Sequence, residues 1–121
     1  MGYTITMKKY ELRVYALTNG KPPFQEWLDG LRDTVAKRKL NARLARASYG
    51  NFGDAKPIQG VQGLFEMREH YGAGYRIFYS VRGDQVVLLL AGSSKRDQER
   101  TIAKAKEYLA DYAKRSEDND K

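Results

Sequence analysis

Between residues 8 and 17 the sequence KKYELRVYAL alternates apolar and polar positions, with Tyr10, Leu12, Val14 and Ala16 on one side. That period predicts a strand with one buried face. Thr18 to Pro23 reads as a turn whose two prolines suit a helix start. The helix, Phe24 to Leu31, carries Phe24, Trp27, Leu28 and Leu31 as one apolar stripe, which places Trp27 in the core. A second helix is expected from Thr34 to Tyr49 on the thin stripe Val35, Leu40, Leu44 and Ala47. Gly50 ends it, and the glycine-rich stretch Asn51 to Gly63 reads as a loop. Three strands follow: Leu64 to Tyr71, Tyr75 to Val81 and Val86 to Ala91. Gly72-Ala73-Gly74 and Arg82-Gly83-Asp84 join them as tight antiparallel turns. Val86 to Leu90 is apolar on both faces, the pattern of a central strand covered on both sides. The last helix is expected from Asp97 to Ala113, with Ile102, Ala105, Leu109 and Tyr112 inward.

The order β-α-α-β-β-β-α predicts an α+β fold, a small antiparallel sheet packed against helices. One domain is expected over residues 1–115, with a disordered polar tail over 116–121. The 121 residues suit one core, and a hydrophobic content of 41% is enough to build it. The absence of cysteine excludes disulfides, thiolate zinc sites and a cysteine nucleophile, and fits a cytoplasmic protein. The longest apolar run, Val86 to Ala91, is far short of the roughly 20 residues of a membrane span, so no membrane partner is expected.

Charge sharpens the picture. Twenty-two Lys and Arg against 15 acidic residues leave a net +7, the balance of a domain that meets phosphate. Lys37, Arg38, Lys39, Arg43 and Arg46 crowd the second helix with no acid among them. A merely solvated face would mix signs to relieve i, i+4 repulsion. The unmixed face points to a nucleic acid or an acidic protein partner. Lys37, Arg38, Arg43, Arg46 and Lys56 are the expected nucleic-acid contacts.

A single histidine excludes paired-histidine nucleases and histidine-rich metal sites, and no phosphate-binding glycine motif or carboxylate cluster occurs. No metal and no cofactor are expected. Catalysis would fall to Arg, Lys, Tyr, Glu or His70. Alternation puts Phe65 and Met67 on one strand face and Glu66, Arg68 and His70 on the other. In the next strand Arg76, Phe78 and Ser80 share a face. If the polar sides pair, Glu66, Arg68, His70 and Arg76 converge, with Lys95 and Arg96 at the rim. Such a patch would hold a phosphodiester, with Phe78 as a base-stacking platform. The plainer reading of the same residues is surface ion pairing, worth about 0–1 kcal/mol.

The ordered set Gly63-Leu64-Phe65-Glu66-Met67-Arg68, Gly72-Ala73-Gly74-Tyr75-Arg76-Ile77-Phe78-Tyr79 and Leu88-Leu89-Leu90-Ala91-Gly92-Ser93-Ser94-Lys95 resembles the RelE/ParE toxin superfamily. The likeness is strongest to its HigB-like, phage-associated branch of addiction-module killer proteins. Phe24-Gln25-Glu26-Trp27-Leu28 and Gly50-Asn51-Phe52-Gly53-Asp54 match that branch too. The resemblance implies the toxin of a type II toxin–antitoxin pair, cutting mRNA on the ribosome as a metal-independent endoribonuclease. It implies neutralisation by a helix-turn-helix antitoxin from an adjacent gene. Under it Arg76 binds the scissile phosphate, Arg68 is a second phosphate ligand, and Lys95 or Arg96 lies near the leaving group. The helix tyrosine of many such nucleases has no counterpart between Asp97 and Ile102, which leaves Glu66, His70 or a lysine whose pKa is lowered by neighbouring cations as the base. The same gap keeps two alternatives open: a non-catalytic DNA gyrase poison, or an inactive antitoxin-bound corepressor.

Overall fold

The structure, a computed structural model, describes residue 2 and residues 7–119. Its elements run β1 (Glu11–Val14), α1 (Pro23–Asp29), α2 (Thr34–Ser48), β2 (Ala55–Pro57), β3 (Phe65–Glu69), β4 (Tyr75–Arg82), β5 (Val86–Ser94), a 3₁₀ turn (Lys95–Asp97) and α3 (Gln98–Asn119). Five strands form one sheet in the order β1-β5-β4-β3-β2. α1 and α2 cover one face and α3 the other, so the fold is α+β with two cores.

The sheet is mixed rather than antiparallel throughout. β1 pairs with β5 in parallel, Glu11 opposite Val86 through Val14 opposite Leu89. The two helices and the strand meander between β1 and β5 supply the long crossover that a parallel pair needs. As its two-sided apolar pattern predicts, β5 lies inside the sheet, with Val87 to Ala91 buried. A short strand, β2, was read as loop. Its three residues pair with β3 on one side only, too few to show a period.

The last helix is longer than expected. The helix does not stop near Ala113 but continues through Asn119; residues 120–121 lie outside the described residues. Nothing in Lys114 to Asn119 breaks a helix. Arg115 also ties this end down, pairing with Asp111 one turn back and donating to the Ala16 carbonyl. No helix among the described residues is long and apolar enough to cross a membrane.

The first core joins Phe24, Leu28, Leu40 and Leu44 from the helices to Met67, Ile77, Tyr79 and Leu89 from the sheet. The second seats Ala105 and Leu109 of α3 on Phe78, Leu88 and Leu90. Between β4 and β5 the register slips by one residue, Phe78 opposing Ala91 while Tyr79 opposes Leu89. This bulge turns Gly92 towards α1, where the Trp27 ring lies directly on it. A Cβ built at Gly92 would fall inside that ring.

Two predictions follow from this packing. Gly92→Ala forces Trp27 off the sheet and is expected to lower stability by about 1–3 kcal/mol in urea unfolding; an unchanged midpoint would contradict the contact. Burial pushes the Tyr79 phenol up to about 12. Because its folded value lies above the ordinary value of about 10, stability is intact below pH 10 and is lost as pH rises through 12. Tyr79→Phe should flatten that alkaline loss, read as the slope of unfolding free energy against pH.

Candidate functional site

Three antiparallel strands set the geometry. Glu66 pairs with Phe78, Arg68 with Arg76 and Glu69 with Tyr75. Across β4, Phe78 pairs with Ala91 and Arg76 with Ser93, and the Lys95 amide donates to the Gly74 carbonyl at 2.7 Å. On the other flank Lys56 pairs with Glu66, and the Arg68 amide donates to the Asp54 carbonyl. Paired residues share a face. The α3 side of the sheet therefore presents three rows: Lys56-Glu66-Phe78-Ala91, Asp54-Arg68-Arg76-Ser93, and His70-Gly74-Lys95.

The middle row is unusual. Cations directly opposite one another repel, yet Arg68 faces Arg76 across the β3–β4 pair. Asp54 offsets Arg68 with a forked contact, its Oδ1 accepting from Nη2 at 2.7 Å and Nε at 3.2 Å. Its Oδ2 lies 2.7 Å from His70 Nε2. The Arg68 guanidinium and, after it, His70 hold the Asp54 carboxyl down at about 2. Among the described residues Arg76 has no such anion. It is buried and donates only to its own neighbour's carbonyl, Tyr75 O.

Four buried side-chain polar atoms among the described residues find no hydrogen-bond partner, and three lie in adjacent rows here: Glu66 Oε1, Arg76 Nε and Ser93 Oγ. Leaving one such group unmatched costs about 1–3 kcal/mol. Three together leave hydrogen-bonding capacity that water or a ligand can meet. An open cleft of about 610 Å³ adjoins the first row, lined by Lys56, Ile58, Gln59, Glu66, Gln98 and Ile102. A second hollow, of about 430 Å³, lies around Arg13, Tyr15 and Tyr112, away from these rows. No three of His, Asp and Glu gather to ligate a metal among the described residues.

Several expected roles change. Phe78 is fully buried beneath α3 and is no stacking platform, because Leu88, Leu90 and Ala105 enclose it. Arg43 is buried rather than part of a cationic ridge. Its guanidinium donates to the carbonyls of Arg68, Phe52 and Asp54, clamping the 51–54 loop against β3. Glu66 is wholly buried, its Oε2 accepting from Gln98 and its Oε1 lying 3.8 Å from the Lys56 amine. The other α2 cations are set apart from the rows: α2 packs on the opposite sheet face through Ala36, Leu40, Leu44 and Ala47. There Lys37 donates to the Asp29 carbonyl and Lys39 lies over the Tyr71 ring, while Arg38 and Arg46 are exposed. Lys95 and Arg96 are exposed at the rim, as the sequence predicts.

Asp54, Ser93 and Gln98 belong to the site and were not singled out from the sequence. Asp54 sits in the stretch read as loop, and Ser93 and Gln98 lie past the expected end of the last strand. Tyr108 and Tyr112 serve elsewhere, Tyr108 stacked on Tyr15 and Tyr112 accepting from Arg13.

A family model described as phage-derived protein, Gp49-like, matches residues 26–114, a span that contains every residue of the three rows. An uncharacterized protein of Haemophilus influenzae is 41% identical over 83 residues, covering 69% of this chain and 82% of the relative.

Arg43→Lys separates a clamp from a nucleic-acid contact. Lysine cannot span three carbonyls, so the variant should lose about 1–3 kcal/mol of stability in urea unfolding. Full stability with weakened RNA binding would contradict the clamp.

Proposed function

We propose, given that the chain belongs to the phage-derived Gp49-like family, that it is the toxin of a type II toxin–antitoxin pair. Its activity is that of a ribosome-dependent, metal-independent mRNA endoribonuclease of the RelE/ParE superfamily's HigB-like branch. The observation that carries this reading is the row Arg68-Arg76-Ser93, where two cations face each other and Arg76 lacks a counter-anion. A phosphodiester supplies what the row lacks, one negative charge and several acceptor oxygens.

The reaction needs little more than positioning and charge. The 2′-hydroxyl of one nucleotide attacks the adjacent phosphorus, the P–O5′ bond breaks, and a 2′,3′-cyclic phosphate forms. Negative charge builds on the phosphoryl oxygens as this happens. Arg76, fixed in the sheet and shielded from water, stabilises that charge better than a mobile surface cation. Arg68 takes a second oxygen through Nη1, which its Asp54 contact at Nε and Nη2 does not use. Lys95, beside Gly74, reaches the O5′ side and Arg96 adds to the rim potential. Arg38, Arg46 and Lys56 add long-range attraction to RNA. A helix-turn-helix antitoxin encoded next door would keep the enzyme silent.

Expression without antitoxin should arrest growth and cut mRNA, and Arg76→Ala should restore growth by lowering cleavage about 10²–10³-fold. Primer extension on cellular mRNA reads the cuts. Arrest with intact mRNA, or full toxicity of Arg76→Ala with its fold preserved, would contradict the nuclease reading.

A further inference from the structure

The structure separates Glu66 from His70, two of the residues that the sequence leaves as alternatives for the base, and the result rests on the nuclease reading above. Glu66 has no exposed surface, one oxygen is committed to Gln98, and the Lys56 amine stands 3.8 Å from the other. A carboxylate so enclosed cannot reach a ribose. His70 is the opposite case. Its side chain is 70% exposed, and Nε2 is engaged at 2.7 Å by Asp54 while Nδ1 faces outward from that contact. We infer that Asp54 and His70 form the proton-transfer pair of this enzyme, with His70 as general base on the 2′-hydroxyl and Asp54 as its positioning residue.

Three observations support the assignment. First, Asp54 serves two partners at once, its Oδ1 fixing Arg68 and its Oδ2 fixing His70. One carboxylate therefore sets the phosphate ligand and the base in mutual register. Held at about 2, it remains an anion throughout the range where an imidazole exchanges protons. With Nε2–H donated to Asp54, the neutral ring presents the Nδ1 lone pair outward.

Second, the third row brings the base and the rim cation to either side of one glycine. His70 lies one step beyond the Glu69–Tyr75 pair, opposite Gly74, and Lys95 follows on the far side. Gly74 holds a positive φ of 74° and offers no side chain. A Cβ there would press on the Lys95 side chain and sit 3.9 Å from Arg76 Nη1. The missing side chain lets Lys95 pack close against Gly74, with the Arg76 guanidinium beside it.

Third, the spacing suits in-line displacement. Two inter-strand steps separate His70 from Lys95, about 10 Å. A base, 2′-oxygen, phosphorus, 5′-oxygen and proton donor in line span about the same distance. The balance closes within the site: the 2′-hydroxyl proton passes to His70 Nδ1, O2′ bonds phosphorus, and O5′ leaves taking a proton from the Lys95 ammonium. No metal and no outside reagent is required. Asp54 is the charged group in contact with the ring, and it also holds Arg68 of β3. Glu69 is occupied by the Tyr71 amide.

Single-turnover cleavage of mRNA on programmed ribosomes, followed against pH, tests the pair. The wild type should show an acid limb, where rate rises with pH as His70 gives up its proton. His70→Gln, an exposed change that leaves the thermal midpoint in place, should abolish the acid limb and slow cleavage about 10²–10⁴-fold. Asp54→Asn should keep an acid limb but displace it, lowering kcat more than it raises KM. Arg76→Ala is the control for the reading beneath. If His70→Gln keeps the rate and acid limb while Arg76→Ala is dead, the pair is overturned and the nuclease stands. If the wild type leaves programmed mRNA intact, both fall.

Discussion

The one-residue bulge between β4 and β5 is the constraint on which the rest of this molecule turns. A strand's side chains alternate, so an added residue sends every later one to the opposite face. Before the bulge, Val87 and Leu89 face α1 and α2 while Leu88 and Leu90 face α3. After it, Ala91 and Ser93 face α3 and Gly92 lies beneath Trp27. Without the slip, Ser93 would face the hydrophobic helices and Arg76 would pair with Gly92. Core and site are thus set by one event. The ring that seals the first core needs the glycine that the bulge delivers, and the polar row needs the serine beside it.

That arrangement lets a small sheet carry opposed demands. One end of its α3 face is hydrocarbon, with Phe78, Leu88 and Leu90 under Ala105 and Leu109. The other end keeps cations and unmatched polar atoms, where α3 begins and the 3₁₀ turn lifts the chain away. Gln98 marks the border by holding Glu66. Arg43 supports the far edge from the opposite side of the sheet, pinning the loop that carries Asp54. Phe52 assists by stacking on Tyr79, ring centroids 5.3 Å apart. Unsatisfied groups are tolerated because the packing around them leaves no alternative.

Much of this could be read from the sequence, because alternation survives folding. The spacing of Glu66, Arg68 and His70 against Arg76 gave their common face, and the register confirms that face for the paired strands. The stripe of Ile102, Ala105 and Leu109 likewise faces the sheet. The bulge could not be seen, since a run such as Leu88-Leu89-Leu90-Ala91 is apolar on both sides and has no period to interrupt. Depth was equally hidden. Periodicity gives a residue's face but not whether a helix lies over it, so Phe78 looked available for stacking and Glu66 for chemistry. Arg43 looked like its exposed neighbours because a cation buried among carbonyls has the same letter as one in water. Asp54 was missed because a three-residue edge strand leaves no pattern.

The central claim is that the α3-side rows of the sheet, centred on Arg76, receive the scissile phosphodiester. Its most direct test is a ribosome complex with this protein and an mRNA carrying one 2′-deoxy nucleotide at the cleavage position, imaged by electron cryomicroscopy. The account predicts the adjacent phosphate within hydrogen-bond distance of Arg76 and Arg68, with the ribose C2′ turned towards His70. RNA lying along α2 on the opposite face, with Arg76 still out of contact with any phosphate, would contradict it.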